Sequence, residues 1–183
     1  MSTALLILTW NEVDAVRAIF PKIKKEWVDE ILVVDGGSTD GTIDEAKKAG
    51  YKIIKQEIKG HGGAIITGVK NTRSDNIIIF GPDGNHEPEE IPRLIQKIEE
   101  GFDQVVVSRF TKQSVIREPN YGFVKFGNKF FTFFTNILFK GHLSDTMTDS
   151  RIITRNAFNE LDFDALFSDS TLTMSIRGMK KKQ

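Results

Sequence analysis

The sequence of 183 residues contains no cysteine. Disulfides, thiolate metal ligands and a cysteine nucleophile are therefore excluded. Its 25 basic and 25 acidic side chains give a formal net charge of zero, which argues against a nucleic-acid-binding protein that works through a basic surface. A chain of this length can bury a sizeable core without cross-links. We therefore expect one globular domain, or one domain with a small appendage.

The sequence also lacks any apolar run that approaches the roughly 20 residues of a transmembrane helix. The short run Ala4–Leu8 has no basic residue before it, and Glu12 and Asp14 follow it. This pattern predicts a buried strand rather than a signal peptide. The expected location is therefore the cytoplasm.

Phenylalanine is the residue present in excess. The chain has 14 phenylalanines against two tyrosines and two tryptophans, and half of the phenylalanines lie between Phe123 and Phe139. A helix predicted over Asn120–Phe139 places on one broad face the residues Phe126, Phe130, Phe133, Phe134 and Ile137. Two interpretations stay open. The helix packs across the sheet under later segments, or it lies on a bilayer with its lysines at headgroup level.

The C-terminal tail is basic, and it also has two interpretations. Its cations are Arg177, Lys180, Lys181 and Lys182. They are either solvated or attracted to anionic lipid, at about 1 kcal/mol per charge near the surface.

Short apolar runs alternate with segments of helical periodicity. The predicted strands are Ala4–Thr9, Glu30–Asp35, Lys52–Gln56, Asn76–Phe80, Asp103–Ser108 and Arg151–Thr154. The predicted helices between the first five are Val13–Lys25, Gly41–Ala49, Gly62–Asn71 and Pro88–Glu100, with Gly50 and Gly101 at expected helix C-termini. The strand cores are continuously apolar, as in strands that are covered on both faces. The pattern predicts an α/β fold with a mostly parallel central sheet flanked by helices.

Polar side chains follow the predicted strands at their carboxyl ends. Glu12 follows the first strand, Asp35 ends the second, Asp83 follows the fourth and Arg109 follows the fifth. Ligands of open parallel sheets bind at this edge. Carboxylates that gather there repel one another unless a cation or the hydroxyls of a ligand join them. A sugar nucleotide with a hard divalent metal on its diphosphate meets that requirement.

Each of these segments also has a purely structural interpretation. Asp35–Thr42 is a glycine-rich turn in which Asp40 suits a helix cap. Residues 83–85 have ordinary turn composition, and Glu12 suits the first turn of a helix. The glycines around His61 are not followed by the lysine of a P-loop, and the isolated histidines argue against histidine metal ligands. The shared position of the acidic groups at strand ends favours a binding site.

Four segments, in order, resemble those of family 2 glycosyltransferases with the GT-A fold, in particular the branch of dolichyl- or polyprenyl-phosphate sugar synthases. They are Leu8-Thr9-Trp10-Asn11-Glu12, Val33–Thr42, Gly60–Ala64 with Gly68, and Ile77–Pro88. The second segment, Val-Val-Asp-Gly-Gly-Ser-Thr-Asp-Gly-Thr, is the most specific. The resemblance covers roughly Ala4 to Arg155. It implies a single GT-A nucleotide-diphosphate-sugar transferase domain over 1–183, with a nucleotide-sugar-binding half (1–109) and an acceptor half (110–183).

The resemblance also implies a set of site residues. Those on the nucleotide-sugar donor would be Leu8, Trp10, Glu12, Asp35, Gly62, Pro82 and Asp83. Asp83 and Asn85 would bind Mg²⁺ or Mn²⁺, and Asp83, Arg109 and Arg151 would be catalytic. The acceptor and membrane side would be formed by Phe126, Phe130, Phe133 and Phe134. A cation and arginines at the diphosphate would stabilise its negative charge as the sugar leaves.

Three positions depart from the family pattern. Gly81 replaces the first aspartate of the metal motif, Gly36 replaces the second aspartate of the earlier motif, and Asp149 stands where the lipid-phosphate branch usually has glycine. Residues 168–183 look like an element cut short, because family members usually continue further. We therefore expect either that the acceptor side is incomplete or that the chain is truncated.

The resemblance implies a metal-dependent, inverting transfer of a hexose to a polyprenyl phosphate at the cytoplasmic membrane face, with peripheral membrane contact. Two alternatives stay open. The first is transfer to a saccharide hydroxyl in cell-wall or surface glycan synthesis, which requires a base; the candidates are Asp145, Asp149 and Asp169. The second is a nucleotide-sugar-binding subunit with weak catalysis, which Gly81 suggests.

Overall fold

A computed structural model describes residues 1–83, 87–108, 121–139, 145 and 148–161. The strands are β1 (Thr3–Thr9), β2 (Glu30–Asp35), β3 (Lys52–Lys55), β4 (Asn76–Phe80), β5 (Gln104–Val106) and β6 (Arg151–Thr154). They form a six-stranded sheet in the order β3-β2-β1-β4-β6-β5. The first four strands are parallel to one another, and β6 runs antiparallel between β4 and β5. The predicted mostly parallel sheet is confirmed.

Six α-helices accompany the sheet in the described residues. They are α1 (Val13–Ile19), α2 (Thr42–Lys48), α3 (His61–Lys70), α4 (Glu90–Ile98), α5 (Tyr121–Phe139) and α6 (Arg155–Asn159). The prediction of a first helix as far as Lys25 was too long. Pro21 lacks an N–H group and clashes with the preceding turn, so the chain continues after Ile19 as two short 3-10 turns. Gly50 and Gly101 follow α2 and α4 with φ of 69° and 95°, as predicted.

Two apolar clusters cover the faces of the sheet. Successive residues of β1 point to opposite faces, so Leu5 and Ile7 join one cluster while Leu6 joins the other. The first cluster also contains Val16 of α1 and Leu94 of α4. The second contains apolar residues of α3 and α6, including Ile65, Ile66, Val69 and Phe158. The continuous apolar runs in the sequence are explained by this burial on both sides.

Helix α3 lies unusually close to the sheet because of its glycines. A Cβ at Gly68 would lie 2.7 Å from Leu6 Cδ1 and 3.0 Å from Val34 Cγ2. A Cβ at Gly63 would overlap the carbonyl oxygen of Ile58. Part of the glycine-rich segment is therefore needed for packing, and this packing brings the N-terminus of α3 to the carboxyl edge of the sheet.

Candidate active site

The loops after β1, β2 and β4 lie together at one edge of the sheet. The parallel register pairs Thr9 with Asp35 and Ile7 with Phe80. The segments that begin at Trp10, Gly36 and Gly81 therefore leave the sheet side by side. This arrangement brings Glu12, Asp40 and Asp83 into one electrostatic environment, as the pKa of Glu12 shows below.

Asp35 organises the loop that follows β2. Its side chain is 2% exposed. Its carboxylate accepts hydrogen bonds from Gly37 N and Ser38 N, both at 2.8 Å, from Ser38 Oγ at 2.5 Å and from Thr9 Oγ1 at 3.2 Å. Four donors fill the roughly four lone-pair directions of a carboxylate. A ribose hydroxyl would have to replace one of them, and the rotatable Ser38 hydroxyl is the easiest to displace.

Asp40 joins the beginnings of two helices. Its Oδ1 accepts from Thr42 Oγ1 at 2.6 Å and Thr42 N at 3.0 Å, and its Oδ2 accepts from Val13 N at 3.0 Å. The bond from the Thr42 hydroxyl is the main reason that the pKa of Asp40 is below its ordinary value. Gly41, and not Asp40 as predicted, is the N-cap of α2. Asp40 instead bonds the first residue of each helix, and it brings a negative charge to the site.

Asn11 connects the loops after β1 and β2. Its backbone is left-handed, with φ of 55°, a conformation that asparagine tolerates better than most residues. Asn11 N donates to Ser38 Oγ at 2.8 Å, and Asn11 Oδ1 accepts from Thr39 N at 2.9 Å. Sequence reasoning gave Asn11 no role of its own, because its partners are 27 and 28 residues away.

Glu12 is an acidic residue of this edge whose pKa is shifted by its surroundings. It is partly buried, and its side chain makes no capping bond to α1. Its pKa is raised, first by burial and then by the charges of Asp83 and Asp40. A helix N-terminus lowers the pKa of a nearby carboxyl, so burial and repulsion outweigh that effect here. A cation near these carboxylates would relieve the repulsion.

Asp83 could bind a cation only together with ligands from outside the described residues or from a substrate. It is exposed and follows the buried Pro82. No group of three acidic or histidine side chains suited to one metal occurs within the described residues. Mg²⁺ commonly keeps several waters and binds one or two carboxylates together with substrate phosphates. An exposed carboxylate beside Glu12 fits such a cation. There is also space for a side chain at Gly81, which replaces the first aspartate of the metal motif, because a Cβ there would meet nothing within 4 Å.

Three other predicted donor residues surround this edge. Trp10 is 69% exposed, so its indole can stack on a flat ligand. Leu8 packs partly buried against the cluster under α3, and Gly62 is buried in the first turn of α3. Gly36 is crowded, since a Cβ there would lie 3.1 Å from Gln56 Oε1 and 3.4 Å from Trp10 Cβ. Gly36, which stands where the family pattern has aspartate, therefore packs closely against the Gln56 amide.

The acceptor-side residues are only partly described. Asn85 and Arg109 lie outside the described residues. Arg151 lies in β6, is fully buried, and donates through Nη2 to the Thr148 carbonyl. Asp149 is 44% exposed, with Oδ1 3.7 Å from His61 Nε2. Sequence reasoning treated His61 as isolated, because its partner is far along the chain. Asp149 therefore contacts the first residue of α3.

Helix α5 has its apolar and polar sides reversed relative to an ordinary surface helix. The exposed fractions of its large apolar side chains, where the structure describes them, range from 45% for Phe134 to 69% for Phe126. Within that range lie Phe130, Phe131, Phe133 and Ile137. Asn128 and Thr132 are buried instead. This favours the surface interpretation of the helix over burial. In the described part of the chain, no helix is long and apolar enough to span a bilayer.

The acidic groups lie at the sheet edge where open parallel sheets bind their ligands, and comparison with known proteins identifies the family. The family model described as "Glycosyl transferase family 2" matches residues 5–162. The chain therefore belongs to glycosyl transferase family 2.

Curated relatives include a glycosyltransferase and a dolichol-phosphate mannosyltransferase. The chain is 26% identical over 163 residues to glycosyltransferase AglJ of Haloferax volcanii, covering 87% of this chain and 52% of the relative. It is 32% identical over 120 residues to the dolichol-phosphate mannosyltransferase of Pyrococcus furiosus, covering 61% of this chain and 34% of that protein. The chain thus spans between a third and about half of the length of these relatives.

A solved structure supports the GT-A fold. Glucosyl-3-phosphoglycerate synthase from Mycobacterium tuberculosis, in complex with Mn²⁺, uridine diphosphate and glucosyl-3-phosphoglycerate, superposes with a TM-score of 0.71 at 20% identity. The match covers 87% of this chain and 59% of that one. At this identity the likeness concerns the fold.

Proposed function

We propose that the protein transfers a hexose from a nucleotide-diphosphate sugar to a polyprenyl phosphate, with inversion, at the cytoplasmic face of a membrane. One juxtaposition carries this proposal. A single domain combines an acidic sheet edge, where the pKa of Glu12 is raised, with an exposed phenylalanine face on α5. The first feature suits a metal-bound diphosphate, and the second suits an acceptor whose chain stays in the bilayer. The Pyrococcus relative, named a dolichol-phosphate mannosyltransferase, supports the choice of acceptor.

The donor occupies the carboxyl edge of the sheet in this proposal. The exposed Trp10 indole stacks on the base, Asp35 and its loop contact the ribose, and Asp83 holds the cation. Asn85 is the expected second ligand. A bound Mg²⁺ or Mn²⁺ supplies positive charge that stabilises the departing diphosphate. The structural relative from Mycobacterium tuberculosis, which was solved in complex with Mn²⁺ and uridine diphosphate, supports this choice of metal.

The chemical step is a single displacement. An ionised oxygen of the acceptor phosphate attacks the anomeric carbon as the bond from that carbon to the diphosphate oxygen breaks, and the electron pair leaves with the diphosphate. An ionised phosphate needs no general base. Arg109 is expected to face the phosphates. Arg151 is fully buried and donates a hydrogen bond to Thr148 O. The segment from Thr148 to Arg151 must therefore rearrange before Arg151 can contact a phosphate.

Asp149 favours a second candidate function, transfer to a saccharide hydroxyl. Its carboxylate is partly exposed and lies near His61 at the start of α3, where a base is accessible to an acceptor. Asp145 is a poor candidate for that base, because it is completely buried and hydrogen-bonded to Asn128. Asp169 lies outside the described residues.

A donor and acceptor screen tests these alternatives. Calorimetry with UDP and GDP sugars, with and without Mn²⁺, first identifies the donor. Transfer of a labelled sugar is then measured on a short-chain polyprenyl phosphate and on a glycan. Transfer to the lipid phosphate supports the main proposal, and transfer to the glycan alone supports the second function. Metal-dependent binding without any transfer indicates a nucleotide-sugar-binding subunit, and no binding of any nucleotide contradicts all three.

A further inference from the structure

The buried face of α5 is held by a directed chain of polar groups. Asp145 is 0% exposed, and Asn128 Nδ2 donates to Asp145 Oδ1 at 2.5 Å. One turn further along α5, Thr132 Oγ1 donates to Asn128 Oδ1 at 2.8 Å. A carboxylate only accepts hydrogen bonds, so the Asn128 amide must turn its NH₂ group towards Asp145. Its carbonyl is then available to the Thr132 hydroxyl, which fixes the orientation of the amide.

The opposite face of α5 is apolar and exposed. With 3.6 residues per turn, Asn128 and Thr132 are each about 160° around the helix from Phe130. Phe130 and Phe134 contact each other with ring centroids 4.7 Å apart, and both rings are exposed. Among the side chains of α5 that the structure describes, polar groups are therefore buried and aromatic groups are exposed.

The charge of this region favours a lipid surface as the partner of the aromatic face. From residue 119 to residue 144 the sequence has no acidic residue and has three lysines, Lys125, Lys129 and Lys140. Lys129 is exposed beside Phe130. An apolar face with the exposed Lys129 beside it, in a stretch of sequence without acidic residues, matches a bilayer that contains anionic lipid.

Asp145, where this polar chain ends, is close in sequence to residues that contact α3. Three residues further along the chain Thr148 is buried, and the next residue, Asp149, lies with Oδ1 3.7 Å from His61 Nε2 of α3. The adjacent Gly62 belongs to the predicted donor site. The contact between Asn128 and Asp145 therefore joins the aromatic helix to a residue that is three positions before a segment in contact with α3, next to the predicted donor site.

We propose that Asn128 is a positioning residue: through Asp145 it couples contact of the α5 phenylalanine face with an anionic bilayer to the order of the Thr148–Ser150 segment beside α3. This inference rests on the proposed membrane acceptor. Contact with lipid holds α5 in place, and the amide–carboxylate bond transmits that restraint to the segment. Asn128 itself touches neither donor nor acceptor in this proposal.

Amide hydrogen exchange tests the coupling on the full chain, with and without vesicles of phosphatidylglycerol and phosphatidylethanolamine. In the wild type, vesicles are expected to slow exchange at least about tenfold both in α5 and in Thr148–Ser150. Asn128→Leu and Thr132→Val keep the aromatic face, so α5 is still protected while the protection of Thr148–Ser150 is lost. A merely structural role would change exchange in both segments, with or without vesicles.

Two matched variants that keep the hydrogen-bonding groups serve as controls for misfolding. Thr132→Ser retains the hydroxyl, and the double variant Asn128→Asp with Asp145→Asn retains an amide–carboxylate pair with the groups exchanged. Both are expected to keep vesicle-induced protection of Thr148–Ser150. Unchanged protection in Asn128→Leu and Thr132→Val would overturn the coupling.

The remaining outcomes separate this inference from the proposed function. Protection of α5 without any effect on Thr148–Ser150 in the wild type refutes the coupling. Protection of α5 that depends on protein concentration and not on vesicles makes a second copy the partner, which also refutes it. No sugar nucleotide is present in the exchange experiment, so lack of transferase activity leaves its result unaffected. Transfer to a short-chain acceptor without vesicle protection keeps the function and rejects the inference.

Discussion

Glu12 and Asp83 follow different strands, β1 and β4, and they repel each other across the carboxyl edge of the sheet. Burial is the first cause of the raised pKa of Glu12, and the charge of Asp83 is the second. The repulsion makes this edge receptive to a cation. A substitution of Asp83 is therefore expected to change the pKa of Glu12 as well.

Removal of Asp83 should abolish metal-dependent donor binding. In Asp83→Ala the proposed cation loses its carboxylate ligand, and we expect Mn²⁺-dependent affinity for the nucleotide sugar to fall at least tenfold, or about 1.4 kcal/mol. Calorimetry with and without Mn²⁺ measures the change. Asp14→Ala is the matched control, because Asp14 is an exposed carboxylate of α1 that pairs with Arg17. Unchanged affinity in Asp83→Ala would refute the assigned role.

The raised pKa of Glu12 predicts a specific pH dependence of stability. The native state holds the Glu12 proton more tightly than the unfolded state, whose ordinary pKa is 4.5. Charged Glu12 therefore destabilises the metal-free protein above that pH, and the penalty disappears as the pH falls through the raised pKa to 4.5. Glu12→Gln should raise the Tm at pH 7 and have little effect below pH 4.5.

Glu45 provides the opposite control. Bonds from Lys48 and Arg17 lower the pKa of Glu45, so its charged form is favoured in the native state. Glu45→Gln should lower the Tm at pH 7, and the difference should disappear as the pH falls through the lowered pKa. Thermal scans of both variants between pH 3 and pH 8 check the signs. A parallel response of the two variants would contradict this account of Glu12.

The sequence was sufficient to predict the central strands β1, β2 and β4, because they are short, continuously apolar runs that the fold largely buries. The predicted strand Asp103–Ser108 was too long, since β5 spans only Gln104–Val106 and is partly exposed. The bounds of β2, β4 and β6 were predicted to the residue. Helix α6 was missed, because its five residues are too few to show a period. The end of α1 was misplaced, because a helical apolar pattern continues past Pro21, where the backbone cannot remain α-helical.

The site was harder to predict than the fold. Sequence position placed Glu12, Asp35 and Asp83 at one edge, and the resemblance named their chemistry. The pairings of Asn11 with Ser38, Asn128 with Asp145 and His61 with Asp149 join residues that are distant along the chain. The periodicity of apolar residues in the sequence does not indicate such contacts. They depend on the packing of α3, α5 and the loops, and the structure was needed to show them.

Gly81→Asp should add a second carboxylate without a steric penalty. A Cβ at this position meets nothing within 4 Å, so the backbone can accept the side chain. We expect Mn²⁺ to bind the variant in the absence of nucleotide with at least tenfold higher affinity than the wild type, or about 1.4 kcal/mol. Gly81→Asn has nearly the same shape and no charge, and it should show little of this gain. Mn²⁺ titration followed by electron paramagnetic resonance measures both variants.

Gly68→Ala should destabilise the fold. The added methyl group would press on Leu6 and Val34 where α3 meets the sheet, and such overpacking costs about 1–3 kcal/mol. Gly127→Ala is a matched control in α5, since a Cβ there meets nothing within 4 Å. The control should gain about 0.5–1 kcal/mol from the higher helix propensity of alanine. Urea unfolding measures both. Equal stabilities would contradict the close approach of α3.

The phenylalanine face of α5 should bind vesicles that contain anionic lipid. The double variant Phe130→Ser with Phe134→Ser removes two contacting, half-exposed rings. Burial of each ring in lipid is worth about 1.5–3 kcal/mol, so we expect the bound fraction to fall at least tenfold in a flotation assay. Phe102→Ser is the control, because Phe102 is an exposed phenylalanine outside α5. Because lysines are expected at the headgroups, added salt should weaken wild-type binding. Equal flotation of the wild type and the double variant would exclude this face as the lipid contact.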